Sequence, residues 1–230
     1  YCEESATNLM SFDRPISWDE HVTIEPPFLE CGSPLFDMPA VKGKVCSGSF
    51  SNRMLLRSDT NFEWPMAPAK DGSKRDLRTT PEEICSQYTA QLLDPGVEFG
   101  YVAASNPRLQ LMVLYIFRRA DFPWVGNWEE RFARAHAPWH EQAFCRGMEF
   151  SSTPFAIPRR ETVSQGSLFD ESTYRWLPAK ATVSVRFMAL LFDVPSDFQG
   201  VDQGSVTPNV VRIVERKAGR TFSSPGSAFI

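Results

Sequence analysis

The chain holds only three histidines, and one of them, His21, stands in Trp18-Asp19-Glu20-His21-Val22-Thr23-Ile24, a strand-like stretch running into Pro26-Pro27-Phe28. An imidazole changes charge near pH ~6.5, which makes it the natural proton donor or acceptor at neutral pH. The plain alternative is a hydrogen-bonded strand histidine with no chemical duty. A second segment, Phe144-Cys145-Arg146-Gly147-Met148-Glu149-Phe150-Ser151-Ser152-Thr153-Pro154-Phe155, sets Glu149 between two apolar side chains. A carboxylate there is costly unless paired, and burial raises its pKa towards that of a useful base. Arg146 offsets that charge or caps a turn; the plain alternative for Glu149 is an edge-strand residue pointing to water.

A third segment runs from Arg118 to Glu130 and gathers Arg118, Trp124, Asn127, Trp128 and Glu129 directly after an apolar strand pattern, where loops carry function. Flat rings cover the apolar face of a pyranose, while amides, carboxylates and guanidinium groups bond its hydroxyls. Trp18, beside His21, and Arg146 join this candidate sugar-contacting set, against the alternative that the tryptophans pin a loop to the core. The fourth segment, His136-Ala137-Pro138-Trp139-His140-Glu141, has an H-x₃-H spacing that invites a metal reading. Pro138 breaks any helix that would put both rings on one face, so His140 reads as part of a ligand-lining loop and no metal is expected. Nucleotide-binding glycine motifs, H-E-x-x-H and G-x-S-x-G are all absent.

These residues need a scaffold, and the strand signals outnumber the helix signals. Thr182 to Phe192 alternates with Val183, Val185, Phe187, Ala189 and Leu191 on one face, and its second face turns apolar towards the end. Leu109 to Phe117 is near-continuously apolar and reads as a strand buried on both faces; with Val97 to Ala103 it forms a hairpin across Ser105-Asn106-Pro107. Glu20–Ile24, Val45–Phe50, Tyr88–Leu93, Arg146–Phe150 and Val210–Glu215 are further short strands. Thr80-Pro81-Glu82-Glu83 resembles a helix start, and Pro158 to Gly166 forms a second short helix. Asp59 to Arg78 reads as a long surface loop, and residues 217–230 as a frayed tail. Many short strands with Pro- and Gly-rich turns make an all-β sandwich of mainly antiparallel strands with few short helices.

Bulk composition narrows the partners. Hydrophobic residues at 42% allow a sizeable core, and 13% aromatics exceed what a core strictly needs, leaving rings to line a cleft. The net charge of −4 is spread along the chain, with no basic stripe for nucleic acid and no cationic amphipathic stretch for a membrane surface. A small neutral molecule is the expected partner, and no cofactor is implied. Five cysteines scattered singly read as reduced thiols in a reducing, cytoplasmic setting. The opening Tyr1-Cys2-Glu3-Glu4 reads as the middle of a chain already under way.

Taken in order and at this separation, the His21 and Glu149 segments resemble the galactose mutarotase-like (aldose 1-epimerase) superfamily. Asp19-Glu20-His21-Val22-Thr23-Ile24 falls where that family has an N-H-x-Y-F-N-L-like strand carrying the general acid. Cys145-Arg146-Gly147-Met148-Glu149-Phe150-Ser151, followed by Pro154, resembles its G-x-x-x-E-P-Q-like strand carrying the general base, and Tyr101 to Leu111 resembles the strand–turn–strand before it. Val22, Thr23 and Ile24 replace the family's aromatic and Asn, and Phe150-Ser151 replaces its Gln. The W-x-G-x-W-E-E-like run at Trp124–Glu130 and the R-G-M-E-F run at Arg146–Phe150 are closer to a divergent bacterial branch. The resemblance implies a β-supersandwich over residues 1–216 whose earlier strands lie upstream of Tyr1. It also implies cofactor-free interconversion of sugar anomers, with Glu149 as base and His21 as acid, and a nearby carboxylate (Asp19 or Glu20) favouring the imidazolium. The competing expectation is a non-catalytic carbohydrate-binding or accessory sandwich domain; a purely structural sandwich is a third.

Overall fold

The computed structural model describes residues 1–48, 52–207 and 209–226. In chain order the strands begin with β1 (Cys2–Thr7), β2 (Arg14–Ile16), β3 (Asp19–Ile24), β4 (Leu35–Asp37) and β5 (Ala40–Val45). Then follow β6 (Asn61–Glu63), β7 (Met66–Pro68), β8 (Lys74–Asp76), β9 (Cys85–Leu93), β10 (Phe99–Asn106), β11 (Leu111–Arg118), β12 (Trp124–Arg131) and β13 (Phe144–Ser151). Helix α1 (Arg159–Gln165) precedes β14 (Ser167–Leu168), β15 (Glu171–Ser172), β16 (Arg175–Leu177), β17 (Thr182–Asp193), β18 (Val201–Thr207), β19 (Val210–Glu215) and β20 (Thr221–Pro225). All the pairings are antiparallel, and the all-β sandwich expected from the alternation is what forms.

Three layers stack. A six-stranded sheet in the order β3-β13-β12-β9-β5-β6 lies on a five-stranded sheet in the order β1-β17-β11-β10-β4, and β18-β19-β20 covers the latter's far side. Strand parity distributes the side chains. From β10, Val102 and Ala104 enter the core between the large sheets, while Phe99, Tyr101 and Ala103 enter the core under β18–β20. The first core is aromatic: Phe117 stacks on Phe150 at 4.4 Å, with Phe122 and Phe187 edge-on to Phe150. Burying each such ring contributes about 1.5–3 kcal/mol.

In β17 the alternation holds but the cover changes sides. Val185 and Phe187 pack towards the six-stranded sheet, then Met188 and Phe192 pack under β18–β20, so Leu191 is left exposed. On β11, Met112, Leu114 and Ile116 are fully buried while Val113 and Tyr115 are only half-buried. The β10–β11 turn lies at residues 107–110, because Ser105 and Asn106 still pair with Met112 and Leu111.

Other expectations are corrected. Residues 59–78 are not a bare surface loop: they carry β6, β7 and β8, and Phe62, Ala67 and Leu77 build a small core with Val45, Met54 and Leu56. No helix starts at Thr80: residues 80–84 hold only bends, and the Thr80 carbonyl accepts from Gly32 N–H instead of from a helical turn. The expected strand Val45–Phe50 is β5, ending at Val45; Phe50 lies outside the described residues. The tail from Lys217 includes β20, held against β19 because Glu215 takes Arg220 in a two-pronged ion pair across the turn; residues 227–230 lie outside the described ones. The short helix is found as α1. Among the described residues no helix is long and apolar enough to cross a membrane.

Candidate functional site

His21 and Glu149 are paired residues in the register of β3 against β13. Side chains opposite one another in an antiparallel pair point to the same face, and here His21 Nε2 lies 3.1 Å from Glu149 Oε1. β3 is the edge of the sheet and β13 is interior. The imidazole is therefore 52% exposed, whereas the carboxylate is 6% exposed. One partner can move and meet a ligand; the other is fixed. His21 Nδ1 is in turn 3.0 Å from Thr23 Oγ1, two residues along the same face, which orients the ring.

Glu149's second oxygen accepts a hydrogen bond from Tyr88 Oη at 3.1 Å. Tyr88 reaches it across β12, and the strand between them must yield space. A Cβ on Gly126 would lie 1.8 Å from Tyr88 Oη, and one on Gly147 would lie 2.7 Å from Glu149 Oε1. The two glycines are what let a tyrosine and a carboxylate meet above the sheet.

Burial raises the Glu149 carboxyl above the ordinary carboxylate range; His21 opposes this, Asp19 adds to it, and the Tyr88 bond opposes it. Asp19, two residues before His21 on the same face, is likewise raised by loss of water, with His21 and a Ser151 hydrogen bond acting the other way. Burial, and then the neighbouring charge of Glu149, push the Tyr88 phenol well up, so it remains a neutral donor. Glu20 faces the other side and reaches about 7 through burial and its proximity to Glu4. Of Asp19 and Glu20, Asp19 is the one on which the His21 charge acts.

Around the pair lies an open cleft of about 260 Å³ lined by Asp19, His21, Tyr88, Trp128, Arg134, Trp139, Glu149 and Ala156. Trp128 stands edge-on to His21 at 5.8 Å between ring centroids. The Arg134 guanidinium lies 5.3 Å from the Trp128 ring and 4.6 Å from that of Trp139, tying both indoles into one wall. Glu130 anchors Arg134 at 2.9 Å and accepts the backbone N–H groups of Ala133 and Arg134. The wall's base is therefore rigid.

The remaining candidates lie elsewhere. Trp124 shares the Trp128 face but is fully buried, its indole N–H donating to Ser172 O. Asn127, Glu129 and Arg146 have the opposite parity and face the sandwich interior, where Arg146 Nε donates to Asn127 Oδ1 and Gln87 donates to Glu129. Trp18 packs on the core and its indole N–H donates to Glu4. Arg118 ends β11 in the other sheet, and His140 is exposed on the loop without lining the cleft. No group of three or more His, Cys, Asp or Glu able to hold a metal occurs among the described residues. Reading by segment missed Tyr88, Arg134 and Trp139. Gly126, a glycine inside a strand, was the available signal that another side chain passes close above it.

The fold resembles that of a crystal structure described as a "putative aldose 1-epimerase" from Klebsiella pneumoniae subsp. pneumoniae MGH 78578. The TM-score is 0.58 at 14% identity, over 84% of this chain and 42% of that one. The chain thus spans less than half the length of that protein, and at this identity the likeness concerns the fold. No family model and no curated protein matches the sequence.

Proposed function

We propose that the cleft binds a sugar and interconverts its anomers by acid–base ring opening. The observation that carries this reading is the contact of a half-exposed imidazole with a buried, fixed carboxylate at 3.1 Å beside the Trp128–Trp139 wall. The indoles would take the apolar face of a pyranose. An entering sugar would exchange the direct His21–Glu149 contact for two of its own oxygens, and the edge position of His21 permits that movement. Glu149 then takes the proton of the anomeric hydroxyl while His21 gives one to the ring oxygen. The bond from C1 to the ring oxygen breaks, C1 becomes a carbonyl, and rotation about C1–C2 presents its other face. Closure returns both protons. Each positioned transfer is worth about 10²–10⁴-fold in rate. Burial of Glu149 serves the reaction by making its carboxylate a stronger base than an exposed one.

A second reading has its own support. The two proton-transfer atoms satisfy each other in the resting cleft, as they would in a sugar-binding module without chemistry. Polarimetry on freshly dissolved α-anomers of several aldoses separates the two. Acceleration by the wild-type chain that is lost in Glu149→Gln supports the epimerase reading. Saturable sugar binding with an unchanged equilibration rate overturns it in favour of the module.

A further inference from the structure

Where the segment after β8 meets the turn after β19, an open pocket of about 410 Å³ has Asp76, Arg78, Thr79, Gln199, Arg216 and Lys217 as its polar lining. It shares no residue with the cleft. Three cations line it, in a chain of net charge −4. Two of them are held from behind. Asp76 grips Arg78 through Nε and Nη2. Asp37, 1% exposed, takes Arg216 Nη2 while its other oxygen accepts from Val201 N–H at 2.8 Å. Gly200, at φ +91°, leaves room for that contact, since a Cβ there would lie 2.5 Å from Asp37 Oδ2. The charge of Arg78 also reaches Asp37, and that of Arg216 reaches Asp76, so the two guanidinium groups converge on one place. These bonds leave Arg78 Nη1 and Arg216 Nε and Nη1 without a hydrogen-bond partner among the described residues. Both side chains remain open to solvent, at 28% and 33%. Lys217 is exposed and has no partner among the described residues, while Glu215 and Asp197 hold Arg220 instead.

The arrangement defines the guest's chemistry. A guanidinium fixed along one edge by a carboxylate offers its remaining N–H groups as a pre-set fork, and such forks match oxyanions. Arg78 and Arg216 are balanced by Asp76 and Asp37, so Lys217 leaves the pocket with a surplus of one positive charge. A cationic guest is repelled, and a neutral one leaves that surplus unmet. A carboxylate has two oxygens for three cationic groups. A phosphoryl group has three terminal oxygens, enough to meet both guanidinium groups and the Lys217 ammonium together. The pocket has room for a small organic part beyond the phosphoryl group, with Thr79 and Gln199 on its wall to bond hydroxyls. We infer that this pocket is a second binding site, for a small phosphate monoester. Its occupancy does not depend on the reaction proposed for the cleft.

Glycerol 3-phosphate is the probe, and the chain is used whole. Isothermal titration at low ionic strength should show saturable binding that weakens as salt is added and persists in Trp128→Ala, which strips the cleft. Lys217→Gln should weaken it about tenfold and Lys217→Glu about a hundredfold, as loss and then reversal of one charged contact would. Both variants should keep the wild-type melting temperature, because Lys217 is exposed and unpartnered among the described residues. Arg78→Lys, which keeps the charge but not the fork, should also weaken binding about tenfold. Glycerate, with a carboxylate in place of the phosphate, should bind at least about tenfold more weakly than the probe. Absence of saturable binding, or binding unchanged in Lys217→Glu, would overturn the inference. So would binding lost in Trp128→Ala, or glycerate bound as tightly as the phosphate.

Discussion

Glu149 and Glu129 sit on adjacent strands of one sheet, each opposite a cation-capable partner, and do opposite things. Glu149 shares the outer face with His21, which is half-exposed, so its pairing can be exchanged for a ligand. Glu129 faces inward against Arg146, a guanidinium sealed in the interior with its Cζ 3.8 Å from the centre of the Phe36 ring. A charge pair at an edge is adjustable; a charge pair in a core is structural, and removing one member strands the other. What separates the two is strand parity and the depth of the partner's strand, not residue type.

The first way to break that comparison is Glu149→Gln. Under the epimerase reading, anomer equilibration should fall by about 10²–10⁴-fold while the urea midpoint holds or rises, because a buried charge has been removed; polarimetry and denaturation read the two effects separately. Next, Arg146→Met should lower stability by about 3–5 kcal/mol, since it leaves Glu129 buried and unpaired. Adding Glu129→Leu should recover most of that loss, and a double variant as unstable as the single would sink the pair assignment. Gly126→Ala should cost about 1–3 kcal/mol by forcing Tyr88 away from Glu149, seen as a lower melting temperature with near-normal strand content by circular dichroism.

Two smaller effects concern pH. Tyr88 donates to the ionised form of Glu149, so Tyr88→Phe should raise the Glu149 pKa further and move the acidic limb of the rate profile to higher pH. An unmoved limb would mean that Glu149 is not the group titrating. Glu20 lies on the same strand as His21 but points inward beside Glu4, and its pKa in the fold is about 7. The fold therefore binds this proton more tightly than the unfolded chain does. Its contribution is fully present below the unfolded value of ~4.3 and is lost as pH rises through about 7. Glu20→Gln should flatten the fall of the urea midpoint between about pH 5 and pH 8.

How much of this was legible along the chain depends on the length of the pattern. The alternation from Thr182 to Phe192 named β17 as a strand and set Val185 and Phe187 on its core face, because a side-chain period of two is imposed by the pleat itself, but it placed the exposed Leu191 on that face too. The three-residue strands β6, β7 and β8 are too short to show a period, and their charged residues gave the segment the look of a loop. The same rule explains the sugar-contacting set. Trp124, Asn127, Trp128 and Glu129 crowd one stretch, yet successive residues of a strand point to opposite faces and cannot all serve one cleft. Only Trp128 does so, and its partners Trp139 and Arg134 come from the following loop.

The sequence by itself determined the all-β class and most long strands, which follow from local periodicity. His21 and Glu149 were joined as a pair only by the resemblance of their two segments to the aldose 1-epimerase superfamily. Only the tertiary structure decided that β3 and β13 are neighbours in a register that sets His21 opposite Glu149, and that Tyr88 arrives over Gly126. It alone decided that Arg146 faces the interior rather than the cleft. Register and sidedness are settled by strands 61 to 128 residues apart in the chain, through contacts that no local window contains.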